Sequence, residues 1–236
     1  MKSGLILGDS LSFARPKHNI SIQDTWPYLL NVELGDYIVF RSKGGGDSIS
    51  MLNEARHLKS YYSPVDEKYM FDWSVVQVGI VDCCPRKTPR QFEFVLTRFV
   101  PGGSRIIRFY NRLDIARNYM KPWVSLENYK KNMLILLGEL KVLCKNVYFV
   151  EIAPPKHYLV ENCGDFCELV SNYNNVLFEL LPNGIARPFS DSIHSSDFLL
   201  PDGHHLTKQG HIAVADSLIE LILNNVSNTK SNELIK

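Results

Sequence analysis

Short apolar runs alternate along this chain with longer segments whose apolar residues recur at helical spacing, and few folds accommodate that alternation. A strand buried on both faces reads as a nearly continuous apolar run, whereas a helix lying over it shows a single apolar stripe. The runs Gly4–Leu7, Tyr37–Phe40, Val75–Val78 and Val147–Ile152, with a weaker one at Ile185–Pro188, therefore predict five strands. Helices are predicted between them. Asp24 or Thr25 caps one through Leu34, Asp47 or Ser48 one through Leu58, and Ser125 one whose stripe is Met133, Leu134, Leu137, Leu140 and Val142. Cys163–Leu181 and Thr207–Asn225 complete the set. Strands that alternate with helices give an α/β fold, here a three-layer α/β/α sandwich on a five-stranded parallel sheet.

With 236 residues, 45% of them hydrophobic, the chain can bury one sizeable core. A single domain over residues 1–226 is expected, followed by a polar, flexible tail at 227–236. Residues 84–123 break the rhythm and read as an inserted elaboration, because connections inside such domains are usually about two to six residues long. Charge is balanced overall, 26 basic against 25 acidic residues, which does not suggest a nucleic-acid binder. Between Arg86 and Lys131, however, stand eleven Lys or Arg and only three acids, Glu93, Asp114 and Glu127. Five cysteines, an odd number, argue for reduced thiols, with Cys163 and Cys167 expected as buried thiols rather than half of a zinc site. Strand-like sequence begins at Ser3 and no apolar run approaches bilayer length, so a cytoplasmic protein without a secretory leader is expected.

Polar residues able to do chemistry fall where the strands end, and ligands of open α/β sheets bind beyond the carboxyl ends of the strands. Ser10 follows the first strand, Gly46 and Asp47 the second, Gly79 and Asp82 the third, and Asp202 and His205 precede the last helix. A serine hydroxyl needs an adjacent base, usually an imidazole oriented by a carboxylate. Asp202 and His205, three residues apart, suit those roles, and glycine N–H groups suit an oxyanion. Other roles compete for some of these residues: Ser10 as a helix cap, Asp9 and Asp82 as carboxylates that hold turns, His204 as a supporting residue and His211 as packing on the last helix. The run Gly44–Gly46 lacks the Lys and Ser or Thr of a phosphate-binding P-loop.

These blocks resemble, in order and spacing, the GDSL or SGNH hydrolases, whose fold is flavodoxin-like. Leu7-Gly8-Asp9-Ser10-Leu11-Ser12 is similar to the family's nucleophile block, and Gly46-Asp47-Ser48 to the block whose glycine N–H serves the oxyanion. Gly79-Ile80-Val81-Asp82 stands where the family has Gly-x-Asn-Asp, and Asp202-Gly203-His204-His205-Leu206 matches its Asp-x-x-His. The resemblance implies Ser10, His205 and Asp202 as the catalytic triad, with Gly46, Gly79, Asp9 and Asp82 around the oxyanion and substrate, and neither metal nor cofactor. Val81 departs from the pattern. The family's asparagine donates a hydrogen bond that valine lacks, and losing one such donor lowers rates by about 10² to 10³. Asn111, Asn118 and Arg86 in the insertion are candidates to replace it.

The function expected is an esterase that removes an O-acyl group, an acetyl above all, from a carbohydrate or glycolipid. Acyl transfer to a surface-polysaccharide sugar is the near alternative, and a non-catalytic binding protein on the same fold the distant one. The stripe Arg105, Arg108 and Arg112 is either a solvated face or a contact for an anionic ligand or membrane surface.

Overall fold

The computed structural model describes residues 2–61, 69–86, 88–103, 105–107, 121–156, 165–190 and 195–233. The chain opens with β1 (Ser3–Gly8), α1 (Trp26–Leu34), β2 (Tyr37–Ser42), α2 (Ser48–Tyr61), β3 (Phe71–Gln77) and the short α3 (Ile80–Cys83). The insertion contributes β4 (Pro85–Arg86), α4 (Arg90–Phe99) and β5 (Lys121–Pro122). α5 (Leu126–Leu143), β6 (Cys144–Val150), α6 (Phe166–Leu180), β7 (Ile185–Ala186) and α7 (Lys208–Glu233) follow.

Five strands form one parallel sheet in the order β2-β1-β3-β6-β7. The chain first moves from β1 to the edge strand β2, then reverses through β3 toward β7. Because crossovers between parallel strands are right-handed, that reversal puts α1 on one face of the sheet and α2, α5 and α6 on the other. α7 returns to pack on α1, and α2 packs on α5, which packs on α6. The reversal also opens a crevice at the carboxyl ends of β1 and β3, where such sheets bind ligands.

All five strands lie where the apolar runs predict them, but β1 begins one residue early, at Ser3, and two others begin earlier still. β3 starts at Phe71 and β6 at Cys144, because polar residues at the sheet's lower rim find partners there. Asp72 accepts the Ser3 N–H at 2.9 Å and the Lys145 ammonium at 2.7 Å. Helix caps follow local chemistry: Ser125 accepts the Asn128 N–H at 3.3 Å, and Gly35 ends α1 in the left-handed region.

Several expectations are corrected. The buried stripe of α5 is Tyr129, Met133, Leu136, Leu137, Leu140 and Leu143, while Leu134 and Val142 face solvent at 57% and 43% exposure. Buried Tyr129 sets the phase of this helix, and a residue five positions on cannot share its face. Cys167 is exposed rather than buried, and Cys163 lies outside the described residues. The last helix, expected to end at Asn225, continues as α7 to Glu233. In the insertion, β4 and β5 pair antiparallel, and α4 turns Phe92, Phe94 and Phe99 to solvent. Among the described residues no helix is long and apolar enough to cross a membrane.

The phase of α5 can be tested by a pair of truncations. Leu140→Ala removes a fully buried side chain and is expected to cost about 2 to 5 kcal/mol, whereas Leu134→Ala stays within about 0.5 kcal/mol. Urea denaturation of the two variants measures both, and equal losses would contradict the packing described.

Candidate active site

The loop after β1 is a single 3-10 turn, Ser10–Ser12, capped by Asp9, whose Oδ1 accepts the Leu11 N–H at 2.8 Å. Ser10 opens the turn, a position whose N–H no carbonyl of the turn can reach. The loop before α7 reverses at Gly203, where φ is 83°. Its arms are joined by a Leu199–Leu206 bridge and by the Leu200 N–H on the His205 carbonyl at 2.7 Å. Thr207 Oγ1 then caps α7 by accepting the Gly210 N–H at 3.1 Å.

This geometry brings together residues from the two ends of the chain. His205 Nε2 lies 3.1 Å from Ser10 Oγ, and His205 Nδ1 lies 2.7 Å from Asp202 Oδ2. Asp202 Oδ1 also accepts the His205 and His204 N–H groups at 3.0 and 3.2 Å. Partial burial works against the Asp202 charge, but these donors outweigh it and hold the carboxyl down to about 2. Burial, reinforced by His204, pushes His205 down to about 4 against the pull of Asp202. At neutral pH the carboxylate can only accept, so Nδ1 carries the ring proton and bare Nε2 accepts the Ser10 hydroxyl.

His204 packs its ring on His205 at a centroid distance of 4.1 Å, with Nδ1 3.0 Å from the Asp202 carbonyl. His211 is a packing residue: it is buried, and its Nδ1 accepts the Trp26 N–H at 3.2 Å, joining α7 to α1. Asp202, His204 and His205 also offer donor atoms within 4.8 Å of one another, the one group among the described residues with metal-ligand spacing. The Ser10 and Asp202 bonds already occupy both nitrogens of His205.

The residues expected around the oxyanion divide. Gly46 N–H donates to the Lys43 carbonyl at 2.9 Å, so an oxyanion would have to share or displace that bond. Gly79 adopts φ 134°, and a Cβ there would stand 2.4 Å from Ile152 Cδ1, so this turn requires glycine. Val81 packs into the core from α3 at 8% exposure and offers no donor. Asp9 and Asp82, expected near substrate, are instead buried at 1% and 0% exposure and hold the loops from within. Asp82 accepts the Ser48 N–H and, at 2.6 Å, the Ser48 hydroxyl, which in turn accepts Asn132 Nδ2 at 2.9 Å. That network ties the third loop to the start of α2, which Asp47 caps through the Ser50 N–H at 2.9 Å. Burial raises Asp82 to about 6 and Asp9 to about 7, the latter further lifted by Asp82.

One site residue, Arg15, lacks any motif to announce it. Its guanidinium donates to the Ser10 carbonyl at 3.2 Å; only its place in the same loop, five residues after Ser10, is a signal. Arg86 comes from β4, its guanidinium 4.8 Å from the centre of the Trp123 ring. Of the basic stripe, Arg105 is exposed, whereas Arg108 and Arg112 lie outside the described residues, as do Asn111 and Asn118. A groove of about 680 Å³ runs alongside the Ser10 turn, walled by Phe13, Ile22, Tyr28 and Phe40.

No family model matches this chain, and no curated protein sequence does. Solved structures do match its fold. The lipase/acylhydrolase from Enterococcus faecalis superposes with a TM-score of 0.61 at 11% identity, over 95% of this chain and 97% of that one. A psychrotrophic esterase from Pseudoalteromonas sp., solved with monoethylphosphonate as inhibitor, gives 0.58 at 15% identity, over 96% and 100%. An acetyl-xylooligosaccharide esterase from Geobacillus stearothermophilus gives 0.55 at 17% identity, over 94% of each chain. The fold is thus that of the lipolytic G-D-S-L hydrolases, among which further matches fall.

Buried Asp9 yields a pH-dependent stability. A carboxyl raised in the fold from 3.8 to about 7 favours the native state while protonated, and that contribution fades as pH rises from about 4 through about 7. Asp9→Asn keeps an acceptor for the Leu11 N–H and cannot ionise. Its stability relative to wild type is expected to improve between pH 5 and pH 8, by up to roughly 3 kcal/mol. Denaturation midpoints at the two pH values measure the change; a difference independent of pH would contradict it.

Proposed function

We propose that this protein is a serine ester hydrolase that removes an O-acyl group, specifically an acetyl, from a carbohydrate or glycolipid. The observation that carries this reading is the chain of hydrogen bonds from Asp202 through His205 to Ser10. Ser10 Oγ attacks the ester carbonyl carbon as its proton passes to His205 Nε2, and Asp202 stabilises the imidazolium that forms. When the tetrahedral intermediate collapses, the bond to the alcohol oxygen breaks, the alcohol leaves with the proton from His205, and the acyl group stays on Ser10. Water, giving its proton to the same nitrogen, then releases the acid and frees the serine. Acyl transfer differs only in that last step, where a sugar hydroxyl takes the place of water.

In this scheme the oxyanion draws on the Ser10 N–H and on the Gly46 N–H once the latter gives up Lys43. Val81 adds nothing, so slow turnover of simple esters is the expectation. The fold likeness to an acetyl-xylooligosaccharide esterase supports the acetyl group and the sugar acceptor. Unpaired thiols at Cys83, Cys84, Cys144 and Cys167 support a reducing, cytoplasmic setting.

A fluorophosphonate probe tests the nucleophile. Wild type is expected to be labelled and Ser10→Ala not, with kcat/KM for aryl acetates falling by roughly 10⁴-fold or more in the variant. Folded wild-type protein that is never labelled and hydrolyses no ester would overturn the proposal. The pH profile is a second test. His205 must be neutral to act as base, so kcat/KM for a neutral ester is expected to rise with pH through about 4 and then level off. An acid limb near the ordinary histidine value of 6.5 would show that the imidazole is not held as described.

A further inference from the structure

Two guanidinium groups act on His204, and the mechanism above employs neither. Arg15 extends from the Ser10 loop, where a backbone bridge to Ile20 holds its segment, and it spends one donor on the Ser10 carbonyl at 3.2 Å. Arg86 comes from the β4–β5 ribbon, with its guanidinium against Trp123. The Trp123 indole is itself anchored, donating to the Thr88 carbonyl at 3.0 Å. In both arginines Nε is buried and has no hydrogen-bond partner, and among the described residues neither guanidinium forms an ion pair. Buried charged donors left unsatisfied are costly, and a site that keeps two of them acting on one imidazole is prepared for an anion.

Their charges meet at one imidazole, His204. Burial lowers the His204 pKa and both arginines push it the same way, while Arg15 also acts on His205. His205 hands its proton to the leaving alcohol, so this positive field lies on the alcohol side of the ester rather than the acyl side.

We propose that Arg15 and Arg86 form an oxyanion-binding pair, so that the preferred substrate is an ester whose alcohol carries a carboxylate or phosphate group. The inference rests on the hydrolase reading and narrows it to anionic acceptors. Guanidinium binds such groups through paired, charge-assisted hydrogen bonds. Burial and His204 do most to hold His205 down, and Arg15 adds to them; a bound anion offsets the Arg15 charge, so the substrate strengthens the base that acts on it.

Three acetate esters on one ring test this: 3-acetoxybenzoate, 3-acetoxyphenyl phosphate and the neutral 3-acetoxybenzamide. Wild type is expected to prefer at least one anionic ester by about 10-fold or more in kcat/KM, as befits charged hydrogen bonds. The better of the two identifies carboxylate or phosphate as the group recognised. The preference should shrink with added salt, fall to within about 3-fold in Arg86→Gln and return in part in Arg86→Lys. Reading a ratio cancels any general loss of activity. With the anionic ester, the acid limb of kcat should also lie above that of kcat/KM.

Hydrolysis of all three esters without preference would overturn this inference and leave the hydrolase reading intact. Absence of both hydrolysis and Ser10 labelling would overturn the hydrolase reading instead. Calorimetry then decides on the anion pair, because it needs no turnover. Binding of 3-hydroxybenzoate or 3-hydroxyphenyl phosphate but not 3-hydroxybenzamide, weakened about 10-fold in Arg86→Gln, supports the pair. Equal or undetectable binding of all three refutes it.

Discussion

The contact between Ser10 and His205 spans 195 positions of sequence, and it depends on one constraint: every strand of the sheet runs in the same direction. Parallel strands deliver all their following loops to one edge. The reversal between β1 and β3 opens a gap there, and the loop before α7 closes over it. Had one of these strands run antiparallel, its polar loop would lie at the far end of the molecule. The sheet thus supplies the coarse placement, to within the width of a strand.

Finer placement comes from buried polar bonds beneath the loops. Asp9 caps the nucleophile turn, Asp82 and Asn132 grip Ser48, and Trp26 Nε1 donates to Gln77 Oε1 at 2.8 Å at the end of β3. Glu151, past the end of β6, accepts the Phe189 and Ser190 N–H groups at 2.6 and 2.7 Å. Satisfied polar networks in a low-dielectric interior hold one arrangement against its neighbours, and a catalytic contact needs such support. Their cost appears as carboxyls at Asp9 and Asp82 held far above their ordinary range.

Electrostatics then bears on the proposed hydrolysis. His205 is held well below its ordinary value, Arg15 and Arg86 both act on its neighbour His204, and Val81 packs into the core and offers no donor. In the proposed reaction each of these is expected to lower the rate with a neutral, unactivated ester.

Much of this was legible from local pattern. Five apolar runs marked five strands, Ser125 marked a helix start, and the blocks around Ser10, Asp82 and His205 marked the loops at the carboxyl edge. The phase of α5 was not, because Leu134 and Leu140 are equally apolar and only the position of Tyr129 in the core separates them. Nor was the engagement of the Gly46 amide by Lys43, since a glycine-rich turn reads the same whether its N–H is spent or spare. Arg15 and Arg86, 71 positions apart, gave no sign of acting on the same histidine, His204. Hydrophobic period and turn chemistry are properties of neighbouring residues, so the sequence by itself determined the kinds of elements, their order and the residue types at the site. Burial, electrostatic field and the meeting of side chains depend on distances through space. Only the tertiary structure decided that Asp9 and Asp82 lie inside, that Val81 packs into the core, and that two arginines act on His204.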